Sequence, residues 1–344
     1  MHNFFRTTAL ALCSSFVLVA ASLPAGAAEA APARVTFDGQ IRNNSLALSP
    51  DESTAVVSYS ERPDLIVYDL VTGAVRGVLR GYVTPRNIVF APDGKSFYVS
   101  DSSLGTVTRL DTATLKPLAT ASTLAAGPGA FGTALSKDGS SLYVNNQASS
   151  TVTRLDIASG QAKVVITGFA QPRQGVRLSP DGTKLYVTNF LGDKVTIVDT
   201  QTDKIEGEIT GFNKIRAISV TADGKTLFAA NSGSNDIAVV DIGARRVTGT
   251  VPVGRDPYGA ALTPDGRFVY SGNLADNTVS VIDVATLKVV ATIAGFKQPR
   301  QAIVFTRDGQ TAYVLNEDLS ISKVERAGQR IVATLAAPQA VAAY

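Results

Sequence analysis

The sequence predicts an all-β, seven-bladed propeller with four antiparallel strands per blade, and three observations lead there. A turn motif built on Asp recurs at Asp51, Asp93, Asp138, Asp181, Asp223, Asp265 and Asp308, at intervals of 42, 45, 43, 42, 42 and 43 residues. An aromatic ring follows by five positions at Tyr98, Tyr143, Tyr186, Phe228, Tyr270 and Tyr313, with Val56 in the first unit. An acidic residue follows by eighteen at Asp69, Asp111, Asp156, Asp199, Asp241 and Asp283, and by seventeen at Glu325. Repeats of this length are the signature of stacked supersecondary units, each covering the apolar face of the next.

The elements follow in chain order. Residues 1–27 have the parts of a secretory signal: Arg6, an apolar run from Ala9 to Ala21, and small residues at Ala25 and Ala27. That run is shorter than the roughly 20 residues a membrane span needs, so a cleaved leader is expected. Cutting falls after Ala27 or a few residues later, and no membrane insertion is expected after cleavage. Leu12 ahead of Cys13 disfavours a lipid anchor. The mature chain, 28–344, reads as one domain with blades at about 38–80, 81–125, 126–167, 168–210, 211–252, 253–294 and 295–337.

Within each unit a period of two in Val, Ile, Tyr and Thr, broken by Pro, Asp, Gly and Asn, marks four short strands. The first strand ends at a Ser-Pro-Asp-Gly turn, where Pro presets φ and Gly supplies positive φ. The second carries strings such as Tyr186 to Asn189, the third ends at a Val-Asp pair, and the fourth is an apolar run such as Val164 to Thr167. Val35 to Phe37 also reads as a strand, either pairing on the last blade to lock the ring or leading into the first.

The Ser-Pro-Asp-Gly, Tyr-Val-Thr-Asn and Val-Asp pattern resembles the YVTN-repeat propellers, which include surface-layer-like and YncE-like periplasmic proteins, and the resemblance covers essentially all of the mature chain. It implies a periplasmic or secreted propeller. It also implies that the repeated Asp, Tyr and Asn columns form turns and blade contacts.

Length variation gathers after the third strand, where the loop leading into the next innermost strand lies, and loops on rigid scaffolds carry function. This lead-in loop has a motif of its own: Gly, aromatic, two residues, Pro or Ile, then Arg. It gives Arg86, Arg173, Arg216 and Arg300, with Arg42 in a similar context after Ile41. Blade six has Tyr258 after Pro257, and blade three has Gly127 to Phe131. Gln174 and Gln301 follow two of the arginines in the shared string Gln-Pro-Arg-Gln. These eight residues, Arg42, Arg86, Arg173, Arg216, Arg300, Tyr258, Gln174 and Gln301, are the candidate ligand- or partner-binding set at one mouth of the channel.

Like charges roughly 10 Å apart repel by about 0.4 kcal/mol in water and about 1.7 at an effective dielectric of 20. Neighbouring carboxylates or a ligand must therefore supply negative charge. Glu61, Asp64, Asp101, Asp193, Asp236, Asp276, Glu317 and Asp318 are expected on the same face. One reading holds the arginines in ion pairs that only shape the loop. The other makes them a docking site for an anionic small molecule, peptide or protein, because planar guanidinium groups suit carboxylate and phosphate.

The chain has one His, one Cys, one Met and no Trp, at His2, Cys13 and Met1. Without the leader, Ser-His-Asp and Cys-His catalysis and the usual zinc, copper and haem ligands are excluded. No cofactor and no metal site is expected. Loss of Arg6 leaves 31 basic residues against 29 acidic ones, too even a balance to point to nucleic acid. The expectation is a monomeric, non-catalytic binding scaffold. The alternatives are a lactonase-like hydrolase working through carboxylates and Arg, and YncE-like binding of single-stranded DNA.

Overall fold

The computed structural model describes residues 33–35, 42–118 and 123–339; the expected leader and Phe37 lie outside them. Seven four-stranded sheets follow one another along the chain, each with its strands adjacent in sequence order and antiparallel. The first is β1 (Asn44–Leu48), β2 (Thr54–Tyr59), β3 (Leu65–Asp69) and β4 (Val75–Leu79). The others span 85–125, 130–166, 172–209, 215–252, 261–294 and 303–335, so the strands run to β28 (Arg330–Leu335). The all-β, seven-bladed propeller expected from the repeat is the fold observed. Among the described residues no helix is long and apolar enough to cross a membrane.

The core is divided into seven parts, one at each blade interface. The cluster of Tyr98, Val107, Leu142 and Val144 joins blades two and three, and Tyr186, Val195, Ile218 and Leu227 join blades four and five. The repeated aromatic is buried in every unit that has it. Its side chain projects from one sheet face between blades, which is what a period-two column on stacked sheets requires. Closure uses the same device. Leu46, Val57 and Tyr68 of blade one pack on Tyr313, Leu315 and Ile321 of blade seven, and the Tyr68 hydroxyl donates to the Leu319 carbonyl at 2.7 Å.

Blade seven takes its four strands from the contiguous stretch 303–335. Val35 is in coil, and its backbone N–H donates to Ser103 Oγ in the β-hairpin loop of blade two at 2.9 Å. The strand expected from Val35 is therefore corrected at this residue: it bonds a loop side chain instead of a sheet edge.

Two repeated polar devices fix the loops. At the Asp turns, Ser136 Oγ donates to Asp138 at 2.6 Å while the Ser140 backbone N–H donates to the same oxygen at 3.1 Å. At the opposite end, in blades four, five and seven, the Asn three residues after the aromatic holds the lead-in loop. Asn189 Oδ1 accepts from Ala170 N–H at 2.7 Å, and Asn316 Oδ1 accepts from Lys297 N–H at 2.9 Å. Both Asn side chains are buried, and their carbonyl oxygens find a partner in the loop backbone.

Candidate functional site

The lead-in loops turn on a glycine at positive φ: Gly81, Gly168, Gly211 and Gly295 take values from +96° to +101°, a region other residues rarely adopt. The innermost strands then begin, β5 (Pro85–Phe90), β13 (Pro172–Leu178), β17 (Ile215–Val220) and β25 (Ile303–Phe305). In β5, β13 and β17 the pairing register shifts just where the arginine sits, between Pro85 and Ile88, Pro172 and Val176, and Ile215 and Ile218. Such irregularities re-aim side chains. Polar residues of the preceding blade hold two of the arginine carbonyls: Asn145 Nδ2 donates to that of Arg173 at 2.6 Å and Ser58 Oγ to that of Arg86 at 3.3 Å.

The arginines do gather at one channel mouth, in two positions. Arg42, Arg173 and Arg216 line a narrow cavity with Gln174, Gln301 and Tyr258, framed also by Phe131 and Phe190. Arg86 and Arg300 stand behind this lining, only 1% and 4% exposed, and Arg173, though part of it, is buried at 7%. Arg86 donates to Ser102 Oγ at 2.9 Å and Asn43 Oδ1 at 3.0 Å, with its guanidinium 4.3 Å from the Phe131 ring centre. Arg300 donates to the Arg42 carbonyl at 3.1 Å.

Aromatic rings organise the cations. Tyr258 lies between two guanidiniums, Arg216 at 4.6 Å and Arg300 at 5.0 Å from its ring centre, while Arg173 stacks 3.2 Å over Phe190. Each contact of this kind is worth about 0.5–2 kcal/mol, more as water is excluded. Arg216 is further held by Ser232 Oγ at 2.9 Å. The exposed Arg42 lies 3.4 Å from Glu317. Tyr59, Glu61 and Glu317 together raise its pKa above the ordinary value.

No Asp or Glu lines this cavity among the described residues. Most of the carboxylates expected to neutralise the mouth are engaged elsewhere. Glu61 pairs with Arg34, Asp276 with Arg255 at 2.7 Å and Asp318 with Lys297 at 2.6 Å. Asp101 accepts the backbone N–H groups of Val83 and Thr84, and Asp193 that of Ile215. Among the described residues no three His, Cys, Asp or Glu side chains come together as a metal cage would need.

A belt of amides closes the inner side of the mouth. Asn43 Nδ2 donates to Gln174 Oε1, Gln174 Nε2 to Asn87 Oδ1 at 3.1 Å, and Asn87 Nδ2 to Thr133 Oγ1 at 2.7 Å, so blades one to four are tied across the channel. Gln301 Nε2 donates to the Asn44 carbonyl at 2.6 Å and ties blade seven to blade one. Cavity volume rises along the channel from about 30 Å³ at the arginine mouth to about 170 Å³ beyond the amides and about 640 Å³ at the far end. The mouth therefore has space for a small anion or the charged end of something larger.

Sequence reasoning missed Phe131, Phe190 and Asn43 as lining residues, and Arg177 farther down the channel. Only Phe131 carried a signal, as the aromatic that takes the place of arginine in the blade-three loop.

A closed ring of seven antiparallel sheets around a basic channel defines a β-propeller. The lactonase seven-bladed β-propeller family model matches residues 46–206 and 198–300, and the chain belongs to that family. Among solved structures it is similar in fold to a chain of hydrazine synthase from Kuenenia stuttgartiensis, with a TM-score of 0.75 at 20% identity, over 82% of this chain and 95% of that one. No curated protein matches the sequence.

Proposed function

We propose that this protein is an exported, monomeric binding module that docks the anionic group of a small molecule, peptide or protein partner on the arginine mouth. The observation that carries this reading is a cavity lined by Arg42, Arg173 and Arg216 and, among the described residues, by no carboxylate. Guanidinium groups already ordered by Tyr258, Phe190 and Ser232 lose little freedom on meeting an anion. The small volume selects a single carboxylate or phosphate group, and the surrounding loops meet the rest of the partner.

The test uses thermal unfolding and calorimetric titration with acetate, citrate and inorganic phosphate. Binding should weaken with added salt, since partly exposed charges are screened within about 8 Å at physiological ionic strength. It should fall about tenfold or more in Arg42→Ala/Arg216→Ala, the affinity that one or two charge-assisted hydrogen bonds supply. Unchanged binding in that variant contradicts the reading.

Membership of a family described as lactonase supports a second reading, hydrolysis of a lactone. The hydroxy acid released by ring opening is a carboxylate of the kind the mouth suits. Assay of five- and six-membered lactones, with Ca²⁺ and with EDTA, separates the two: turnover makes the protein an enzyme, and its absence in every condition leaves the binding module.

A further inference from the structure

Beyond the amide belt the channel contains a cation that the arginine mouth does not use. Arg177, near the end of β13, lines both the middle cavity and the wide one, at the point where they meet. Its side chain is exposed to this space, and its Nη1 donates only locally, to the Val176 carbonyl at 2.8 Å. No Asp or Glu lines either cavity among the described residues. The surrounding protein disfavours its charge and lowers its pKa from the ordinary value.

The wide cavity has the complementary character. From Arg177 outward its wall is mostly aliphatic and aromatic, with Leu135, Leu178, Val220, Leu262, Ile303 and Phe305, and the second cation on it, Lys137, is turned to the Pro180 carbonyl. Ser219 also lines it, and the buried Ser219 Oγ has no hydrogen-bond partner among the described residues. A volume of about 640 Å³ lies within the range of small-molecule sites. One guanidinium at the inner limit of an apolar vestibule matches a ligand with a single anionic head and an apolar body.

We propose that this vestibule is a second binding site, which takes an organic monocarboxylate head-first, the carboxylate on Arg177 and the apolar body against the channel wall. A planar carboxylate can accept two parallel N–H bonds from the guanidinium. The cavity walls reduce competition from water and strengthen that contact. The site is separated from the arginine mouth by the Asn43, Gln174 and Asn87 belt, so it does not depend on what the mouth binds.

The experiment is calorimetric titration of the full protein with straight-chain monocarboxylates of four to ten carbons and with the matching primary alcohols. The acids should bind about fourfold more tightly per added methylene until the vestibule is filled, and about tenfold or more tightly than the alcohols. Arg177→Gln should remove that advantage while leaving alcohol binding unchanged, Arg177→Lys should restore part of it, and Arg216→Ala should leave it intact. Equal acid binding in the wild type and Arg177→Gln overturns the proposal, as does absence of binding by any of the acids. Loss in Arg216→Ala alone places the acid at the mouth and overturns it equally.

Discussion

At one end of the channel the lining is guanidinium stacked on aromatic rings. At the other it is a broad aliphatic vestibule ringed by the Ser-Pro-Asp-Gly turns. The innermost strands run through both, and each end is built from charged residues that recur from blade to blade. The difference lies in where each charge is satisfied. Asp138 and Asp181 face backward into their own turns, where the hydroxyls of Ser136 and Ser179, then the backbone N–H groups of Ser140 and Thr183, bring their pKa values down to about 2. The aspartates thus shape the chain, each staying ionised within the hydrogen bonds of its own turn. Arg42, which also reaches Glu317 at 3.4 Å, and Arg216 line a shared space that no carboxylate lines among the described residues. A repeat can be purely structural at one end and functional at the other, according to whether its charged group closes on its own loop.

The contrast can be broken from either end. The largest expected effect is from Arg86→Ala, which leaves Ser102 Oγ and Asn43 Oδ1 without their buried donor and removes the stack on Phe131. Urea unfolding should show a loss of about 3 kcal/mol. A loss below about 0.5 kcal/mol would mean that Arg86 belongs to the displayed group with Arg42. Asn189→Ala should cost about 1–2 kcal/mol by stranding the Ala170 N–H, and should loosen the loop that carries Arg173, raising hydrogen exchange there.

Acid should act on the turn end. Carboxylates with depressed folded pKa values stabilise the fold above their unfolded value, near 4, and lose that contribution as pH falls toward about 2. The melting temperature should therefore be flat above pH 4 and fall between pH 4 and 2. In Asp138→Asn that acid-dependent drop should be smaller. An equal drop in both proteins would remove Asp138 from the account. The smallest stability effect is expected from Arg216→Ala, about 1 kcal/mol for a partly exposed side chain that gives up its stack on Tyr258 and its bond to Ser232, although its effect on anion binding should be the largest of these variants.

The fold was legible because its signals are local and repeated: an aromatic in six units that must be buried between sheets, and an Asp in seven that must close a turn. The mouth was legible in outline, since the Gly-to-Arg spacing placed four arginines together and Ile41-Arg42 matched the end of the motif. Two features were not. The buried position of Arg86 and Arg300, against the open position of Arg42, depends on which ring of a neighbouring blade each one meets, Phe131 of the next blade for Arg86 and Tyr258 of the preceding one for Arg300, and nothing in the repeat specifies that. Arg177 was hidden by the register shift in β13. A strict alternation of faces from Arg173 would make Gln174 and Arg177 opposites, whereas the irregularity between Pro172 and Val176 lets both line the channel. The Asn three residues after the aromatic also has a reason that sequence alone does not give: at Asn189 and Asn316 it caps the lead-in loop.

The most direct measurement is titration of citrate or acetate into the wild-type protein and into Arg42→Ala/Arg216→Ala at low and at physiological salt, with melting temperature recorded in parallel. A displayed, carboxylate-free mouth predicts salt-sensitive binding that falls about tenfold or more in the variant while its melting temperature stays within about 3 °C of the wild type. Equal binding by both proteins at both salt concentrations would contradict it.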